Sequence, residues 1–202
     1  MKCATGGVNT HKGAIFSLGI YAASLGMGYD GERSDAEAAL LRCGEMTGVR
    51  MREELSAIEN GEARTFGEAI YQKRRVGGVR AEAAGGFASV RESGLPNLRT
   101  ALDAGLSLND AGLCALVALM ACTQDTNALR RGGEEAAARL LSDAQALNEV
   151  IRSAADDGLL CNTIEEIRAR LLAWDKELSA ERISPGGCAD LLALTLLVHF
   201  MG

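Results

Sequence analysis

Residues 4–19 read ATGGVNTHKGAIFSLG, a polar, glycine-rich run that passes directly into an apolar stretch. This change of composition predicts a loop that leads into the N-terminus of a helix, with Asn9 or Thr10 as the capping residue. Unpaired backbone N–H groups and the positive end of the helix dipole attract anions there, and Lys12 adds a full positive charge. We therefore expect a phosphate-binding site in this stretch.

The same stretch invites comparison with the nucleotide-binding P-loop, because Gly6 and Lys12 have the separation of G-x-x-x-x-G-K-[ST]. Two positions disagree with that motif. His11 stands where the second glycine is needed, and Gly13 replaces the hydroxyl that binds magnesium. The residues thus argue against a Walker-type ATPase.

The composition favours helices throughout the chain. Hydrophobic residues make up 48% of the 202 residues and aromatic residues only 4%. Alanine and leucine are the commonest residues, glutamate is frequent, and β-branched residues rarely form alternating runs. We expect an all-α fold, a single compact multi-helix bundle that forms one domain over residues 1–202, with buried central helices and an active site at glycine-rich helix termini.

The net charge indicates which partners are excluded, and the cysteines indicate the compartment. A formal net charge of −6 argues against nucleic acid and against an anionic membrane surface. The six cysteines show no CxxC pairing and are expected to be buried thiols, which suits a reducing cytoplasm. The most apolar stretch, residues 189–201, is too short to span a bilayer, and no signal-peptide pattern is visible.

Several helix starts can be predicted from local spacing. Ser34 with Glu37 and Ser107 with Asp110 have capping-box spacing, and the helix after Ser107 is apolar on most sides and expected to be central. Asp125, Thr126 and Asn127 follow the C-terminus of this helix and are expected to lie close together. The last helix is expected to take Ser184 as its cap and Pro185 as its first residue.

Four segments together resemble a known family, and their order along the chain also agrees. GVNTHKGAIFSLG (residues 7–19), GVRAEAAGGF (78–87), DTNALRRGGE (125–134) and ISPGGCADLLALT (183–195) are similar to segments of the triphosphoribosyl-dephospho-CoA synthase family. Two departures are visible. The chain has RAEAA where the family usually has RGEAE, and Cys188 stands where serine is familiar.

The resemblance implies a pentosyltransferase that joins ATP to 3′-dephospho-CoA and releases adenine. Its product would be 2′-(5″-triphosphoribosyl)-3′-dephospho-CoA, the precursor of the acyl-carrier prosthetic group of citrate lyase or malonate decarboxylase. Mg²⁺ is expected to accompany the ATP. Family members resemble this chain over their C-terminal two thirds, so we expect a homo-oligomer or a companion polypeptide that supplies the N-terminal region, and little activity from this chain alone.

The resemblance also implies roles for individual residues. Lys12, Arg80 and Arg130 would contact the phosphates. His11 or Asn9 would contact the purine, and Glu82 would accept the proton of the attacking hydroxyl. Metal binding falls to Asp125 and Asp190, and His11, Glu82 and Asp125 form the catalytic set. The substrate-binding residues as a whole are Asn9, Thr10, Lys12, Arg80, Asn127, Arg130, Ser184, Gly186 and Gly187. We expect residues 4–12, 125–127 and 184–190 to converge on one polar pocket.

Structural roles compete with these assignments. Asp125 is also placed to cap a helix, Asp190 to complement a helix dipole, and Arg80 with Glu82 to form an ordinary surface pair. At the level of the whole chain, the alternative is a non-catalytic nucleotide-binding module that acts as a partner subunit. A metal-dependent phosphohydrolase is a weaker rival, since His11 and His199 are the only histidines.

Overall fold

The structure is a computed structural model that describes residues 11–63, 66–74 and 76–202. Over these residues the chain forms nine α-helices and one π-helix and contains no strand, so the prediction of an all-α fold is confirmed. The chain divides into two compact units, Met1–Ala88 with Ala193–Gly202, and Ser89–Leu192. The expectation of one domain over residues 1–202 stays a prediction.

Unit 1 contains four helices and the last turns of α9 (Gly186–Met201). The helices are α1 (Lys12–Met27), α2 (Ala36–Asn60), α3 (Phe66–Arg74) and α4 (Gly78–Ala84). The long helix α2 packs against the other three, and α1 also packs against α4. Leu40 and Cys43 of α2 are fully buried, which places the core of this unit along α2.

Helix α1 buries hydroxyl groups rather than its largest apolar side chains. Ser17, Tyr21 and Ser24 are its fully buried residues, whereas Ile15 and Met27 are exposed. The hydroxyl of Tyr21 donates to the carbonyl oxygen of Ala36 at 3.0 Å, and that of Ser24 to the carbonyl of Ala39 at 2.6 Å. Hydrogen bonds to α2 therefore compensate the burial of these two polar groups.

Helices α2 and α4 approach so closely that glycine is needed at their contact. A Cβ on Gly44 would lie 3.0 Å from the backbone nitrogen of Gly86, and one on Gly86 would lie 2.9 Å from the carbonyl oxygen of Leu40. Gly86 also has φ +65°, the left-handed conformation that commonly ends a helix. The GVRAEAAGGF segment is thus a short helix closed by a tight turn.

Unit 2 is built around α6. Its elements are the π-helix Val90–Gly94, α5 (Leu95–Asp103), α6 (Leu108–Cys122), α7 (Thr126–Asp156), α8 (Leu160–Ala180) and the first turns of α9 (Gly186–Met201). Helix α6 packs against α5, α7 and the π-helix, and most of its residues are buried. The central position predicted for this helix from its apolar composition is confirmed for the unit.

Several predicted helix starts are displaced by one or two residues. His11, and not Asn9 or Thr10, occupies the cap position of α1, without a capping hydrogen bond from its side chain. Asp35, and not Ser34, caps α2, because its carboxylate accepts the N–H groups of both Glu37 and Ala38. By contrast, Ser107 caps α6 as predicted, with the N–H of Asp110 donating to its hydroxyl.

The start of the last helix is also displaced. The carbonyl of Pro185 accepts the N–H of Ala189, so Pro185 precedes the first residue, Gly186, of α9. None of the helices in the described ranges has the length and apolar content needed to cross a membrane.

Candidate functional site

The candidate site in unit 2 begins at the N-terminus of α7. Asp125 occupies the cap position, and its Oδ1 accepts the N–H of Asn127 at 2.7 Å and that of Ala128 at 3.1 Å. The side chain is only 6% exposed. Asp125 therefore caps α7, which is the structural role considered for it from the sequence.

The same carboxylate reaches a second helix. Its other oxygen, Oδ2, accepts the N–H of Cys188 at 3.0 Å. Cys188 lies in the first turn of α9, where N–H groups have no partner within the helix. Two helix N-termini, 63 residues apart in sequence at this contact, thus share one carboxylate, and the structure brings the stretches 125–127 and 184–190 together.

The two glycines that begin α9 make this approach possible. A Cβ on Gly187 would lie 3.0 Å from Oδ2 of Asp125, and a Cβ on Gly186 would lie 2.9 Å from Nδ2 of Asn127. Both contacts would be closer than ordinary van der Waals packing allows. The SPGG segment therefore presents bare backbone to the polar residues at the start of α7.

Thr123 and Cys188 make a further contact beside Asp125. The hydroxyl oxygen of Thr123 lies 3.0 Å from the sulfur of Cys188, and either group can donate. Burial, followed by the negative charge of Asp125, raises the pKa of the Cys188 thiol far above its usual range. Cys188 thus stays protonated at neutral pH and is unsuited to be a nucleophile.

The other predicted residues of unit 2 surround the same helix starts. Asp190 lies one turn after Gly186 on the same side of α9 and is half-buried, and Ser184 is half-buried just before the helix. Arg130 is exposed, one turn into α7. Helix dipoles make this region favourable for anions, and exposed Arg130 can add a positive charge.

In unit 1, the predicted residues are described only in part. Asn9, Thr10 and the rest of residues 4–10 lie outside the described residues. His11 and Lys12 are both exposed at the start of α1. The cationic side chain of Lys12 therefore stands at the N-terminus of a helix, as the sequence predicts.

Arg80 and Glu82 lie on the short helix α4. Nε of Arg80 is 3.5 Å from a carboxylate oxygen of Glu54 in α2, and about two fifths of each of these two side chains is exposed. Glu54 also contacts Arg50 through its other oxygen at 3.3 Å. Arg80 therefore takes part in a surface ion pair, and Glu82 is half-buried.

The expected metal site fits the residues incompletely. Within the described ranges, no group of three or more histidine, cysteine, aspartate or glutamate side chains is placed to hold a metal ion. Mg²⁺ often needs only one or two carboxylates, since substrate phosphates supply other ligands. Asp125 is nearly buried, however, whereas Asp190 is half-buried and therefore more accessible to an ion that arrives with ATP.

The contact between Thr123 and Cys188 is not predicted from the sequence. Thr123 ends α6, where its hydroxyl also donates to the carbonyl of Leu119 at 2.7 Å. A threonine two residues before a capping aspartate is the only local signal for it. Such a signal is too common to indicate a contact with a residue 65 positions away.

The fold and site define an all-α protein that carries polar motifs at glycine-rich helix N-termini. The family model for CitG, ATP:dephospho-CoA triphosphoribosyl transferase, matches residues 1–202. The chain belongs to this family. No solved structure is significantly similar to it.

Curated relatives are named as synthases of 2-(5″-triphosphoribosyl)-3′-dephosphocoenzyme A. The chain is 38% identical over 202 residues to the 2-(5″-triphosphoribosyl)-3′-dephosphocoenzyme-A synthase of Pectobacterium atrosepticum, covering 99% of this chain and 62% of the relative. It is 36% identical over 200 residues to a "probable" synthase of the same name from Vibrio cholerae, covering 98% and 61% of the two chains. It is 36% identical over 198 residues to another from Azotobacter vinelandii, covering 98% and 62%. The chain thus spans about three fifths of the length of these relatives.

Proposed function

We propose that this protein acts in the synthesis of 2′-(5″-triphosphoribosyl)-3′-dephospho-CoA from ATP and 3′-dephospho-CoA, with release of adenine. The observation that carries the proposal is the family match over all 202 residues. The close approach of two of its polar motifs, at the starts of α7 and α9, supports it.

The proposed reaction is glycosyl transfer. The 2′-hydroxyl oxygen of dephospho-CoA forms a bond to C1′ of the ATP ribose, and the bond from C1′ to N9 of adenine breaks. The hydroxyl proton leaves the attacking oxygen, and adenine departs with the electron pair of the broken bond and takes up a proton. Because the ribose gains positive charge as adenine leaves, the transition state has oxocarbenium character, as in glycosidases.

In this proposal, cationic groups hold the triphosphate. Lys12 and Arg130 are exposed in the structure at or near helix N-termini, and Arg80 is partly exposed beside Glu54. Guanidinium groups suit phosphate oxygens because they donate in pairs from a planar fork. The backbone N–H groups at the start of α9, next to Asn127 and Ser184, are further candidates for anion binding.

A carboxylate and a purine contact complete the proposed chemistry. Glu82 is the group to which we assign the proton of the attacking hydroxyl, since a half-buried carboxylate can act as a general base. His11 or Asn9 would contact the departing adenine. Mg²⁺ would neutralise phosphate charge when bound with ATP, and Asp190 is the side chain we assign to it.

We further propose that the product serves citrate lyase or malonate decarboxylase as the precursor of their prosthetic group, and that the protein works in the cytoplasm. None of the five cysteines in the described part of the chain forms a disulfide, which is consistent with a reducing compartment.

An adenine-release assay tests the proposed reaction. Purified protein is incubated with ATP and Mg²⁺, with and without 3′-dephospho-CoA, and the adenine and the mass of the adduct are measured. We expect adenine only when 3′-dephospho-CoA is present, in equal amount to the adduct. CoA, whose 3′-phosphate adjoins the attacking hydroxyl, is the matched control acceptor. Binding of ATP without adenine release, both alone and with the companion polypeptide described next, would instead support the non-catalytic module.

The predicted companion polypeptide is tested in the same assay. The part of the Pectobacterium relative that lies outside its match with this chain is added as a separate polypeptide. We expect it to increase adenine release. An unchanged rate would contradict the need for a companion.

A further inference from the structure

Asp125 accepts hydrogen bonds from two helix N-termini at once, and the roles assigned above do not require this. We infer that Asp125 is a positioning residue that fixes the first turn of α9 against the first turn of α7. It thereby sets where the N–H groups of Gly186 and Gly187 stand relative to the side-chain amide of Asn127. The inference relies on the proposed function for the identity of the ligand, ATP, but the contact itself is independent of it.

Asp35 provides a comparison within the same molecule. Its Oδ1 accepts the N–H groups of Glu37 and Ala38, both at 2.9 Å, and closes the first turn of α2. Asp125 makes the same two bonds with Oδ1 and adds the bond from Cys188 with Oδ2. Serine caps a helix about as well as aspartate, but it has no second oxygen. Capping alone therefore does not require the carboxylate of Asp125.

The surroundings of Asp125 favour positioning over metal binding. Three N–H groups donate to its two oxygens, and only 6% of the residue is exposed. A negative charge held between the positive ends of two helix dipoles stabilises both helix starts. A magnesium ligand would instead need to turn an oxygen towards the substrate phosphates.

The glycines show that this contact sets the spacing of the two helices. A Cβ on Gly187 would meet Oδ2 of Asp125 at 3.0 Å, and one on Gly186 would meet the side chain of Asn127 at 2.9 Å. The first turn of α9 therefore rests directly on the side chains that begin α7. Loss of the bond from Cys188 would release this turn.

Hydrogen exchange tests the contact without any assumption about the reaction. Asp125→Ser and the matched control Asp35→Ser are compared with the parent full-length chain. Loss of a hydrogen bond to a charged group corresponds to about a tenfold change or more in an equilibrium constant. We expect the amides of residues 186–188 to exchange faster by about that factor in Asp125→Ser, and at the parent rate in Asp35→Ser. Parent exchange in Asp125→Ser would overturn the inference.

Steady-state kinetics then separates positioning from metal binding. We expect Asp125→Ser to raise the KM for ATP more than it lowers kcat, by the same factor at low and at saturating Mg²⁺. A defect that disappears at saturating Mg²⁺ would overturn the inference in favour of a metal ligand. If the parent chain does not use ATP even with the companion polypeptide added, the proposed function fails, and the exchange result alone decides the positioning role.

A second variant covers the case in which Asp125→Ser does not fold. Gly187→Ala keeps both caps but places a methyl group against Oδ2 of Asp125, whereas Gly112→Ala is a control with nothing within 4 Å of its Cβ. We expect Gly187→Ala, and not Gly112→Ala, to speed exchange at residues 186–188 and to raise the KM for ATP. Parent behaviour of Gly187→Ala in both measurements would overturn the inference.

Discussion

Asp110 and Arg168 form a two-pronged ion pair between α6 and α8. Nε of Arg168 donates to Oδ1 of Asp110 at 2.7 Å and Nη2 donates to Oδ2 at 2.6 Å. The hydroxyl of Ser107 donates to Oδ2 as well. The hydrogen bonds from Arg168, and then the bond from Ser107, lower the pKa of the Asp110 carboxyl below its usual range.

This lowered pKa predicts a stability loss in acid. Because the folded-state pKa is the lower one, the contribution of Asp110 is fully present above the unfolded-state pKa. It is lost as pH falls through the folded-state pKa. We expect Asp110→Asn to destabilise the protein at pH 7 and to flatten the decline in stability below about pH 4. Urea unfolding between pH 7 and pH 3 measures this, and an Asp110→Asn curve parallel to that of the parent would contradict it.

Lys12 is the residue whose removal should affect ATP binding most directly. Lys12→Ala removes a positive charge at the start of α1, so we expect the affinity for ATP to fall by about 1.5–3 kcal/mol if ATP covers the side chain. Isothermal titration calorimetry measures the change. Lys176→Ala, an exposed lysine on α8, is the control. Unchanged affinity in Lys12→Ala would remove Lys12 from the site.

At the scale of elements, the sequence predicts the helices better than their first residues. The change from polar to apolar composition located α1, and the apolar composition after Ser107 located the central α6. The start of α2 was misassigned because Ser34 and Asp35 are both good caps. Asp35 accepts two N–H groups with one oxygen, and that geometry depends on backbone angles that the spacing does not reveal.

For the candidate site, too, the sequence predicts which segments are polar but not which atoms contact each other. The sequence identified the polar ends of α7 and α9, since each joins glycine or proline to an apolar helix. It could not predict that Oδ2 of Asp125 meets the N–H of Cys188, because a contact across 63 residues depends on how the helices pack. The roles of Asn9 and Thr10 in substrate binding stay predictions, as these residues lie outside the described ranges.

The close packing of α2 and α4 gives a matched pair of glycine substitutions. A Cβ on Gly44 would meet backbone atoms of Gly86 and Ala84 at 3.0–3.3 Å, whereas one on Gly112 meets nothing within 4 Å. We expect Gly44→Ala to destabilise the protein by about 1–3 kcal/mol through overpacking. Gly112→Ala should stabilise it by up to about 1 kcal/mol, because alanine favours a helix interior. Urea denaturation distinguishes the two, and equal effects would contradict the packing argument.

At the scale of the whole molecule, charge and exposed apolar side chains together predict the solution behaviour. The formal net charge is −6 at pH 7 and the pI is about 5.1. Ile15, Met27 and Phe200 are each about two thirds exposed. Since repulsion disappears near the pI, we expect light scattering to rise as pH falls from 7.5 towards 5. Scattering that stays constant over this range would contradict the predicted self-association.

Each compact unit contains a buried cysteine whose rate of alkylation reports how often that unit opens. Cys43 of unit 1 and Cys114 and Cys188 of unit 2 are buried, while Cys122 and Cys161 are exposed. Burial raises the pKa of Cys43, and that of Cys114 to about 11, so both react slowly while folded. Alkylation followed by peptide mass spectrometry will mark Cys122 and Cys161 first. Delayed labelling of Cys43 and of Cys188 then times the opening of the two units separately, without an added dye or a designed mutation.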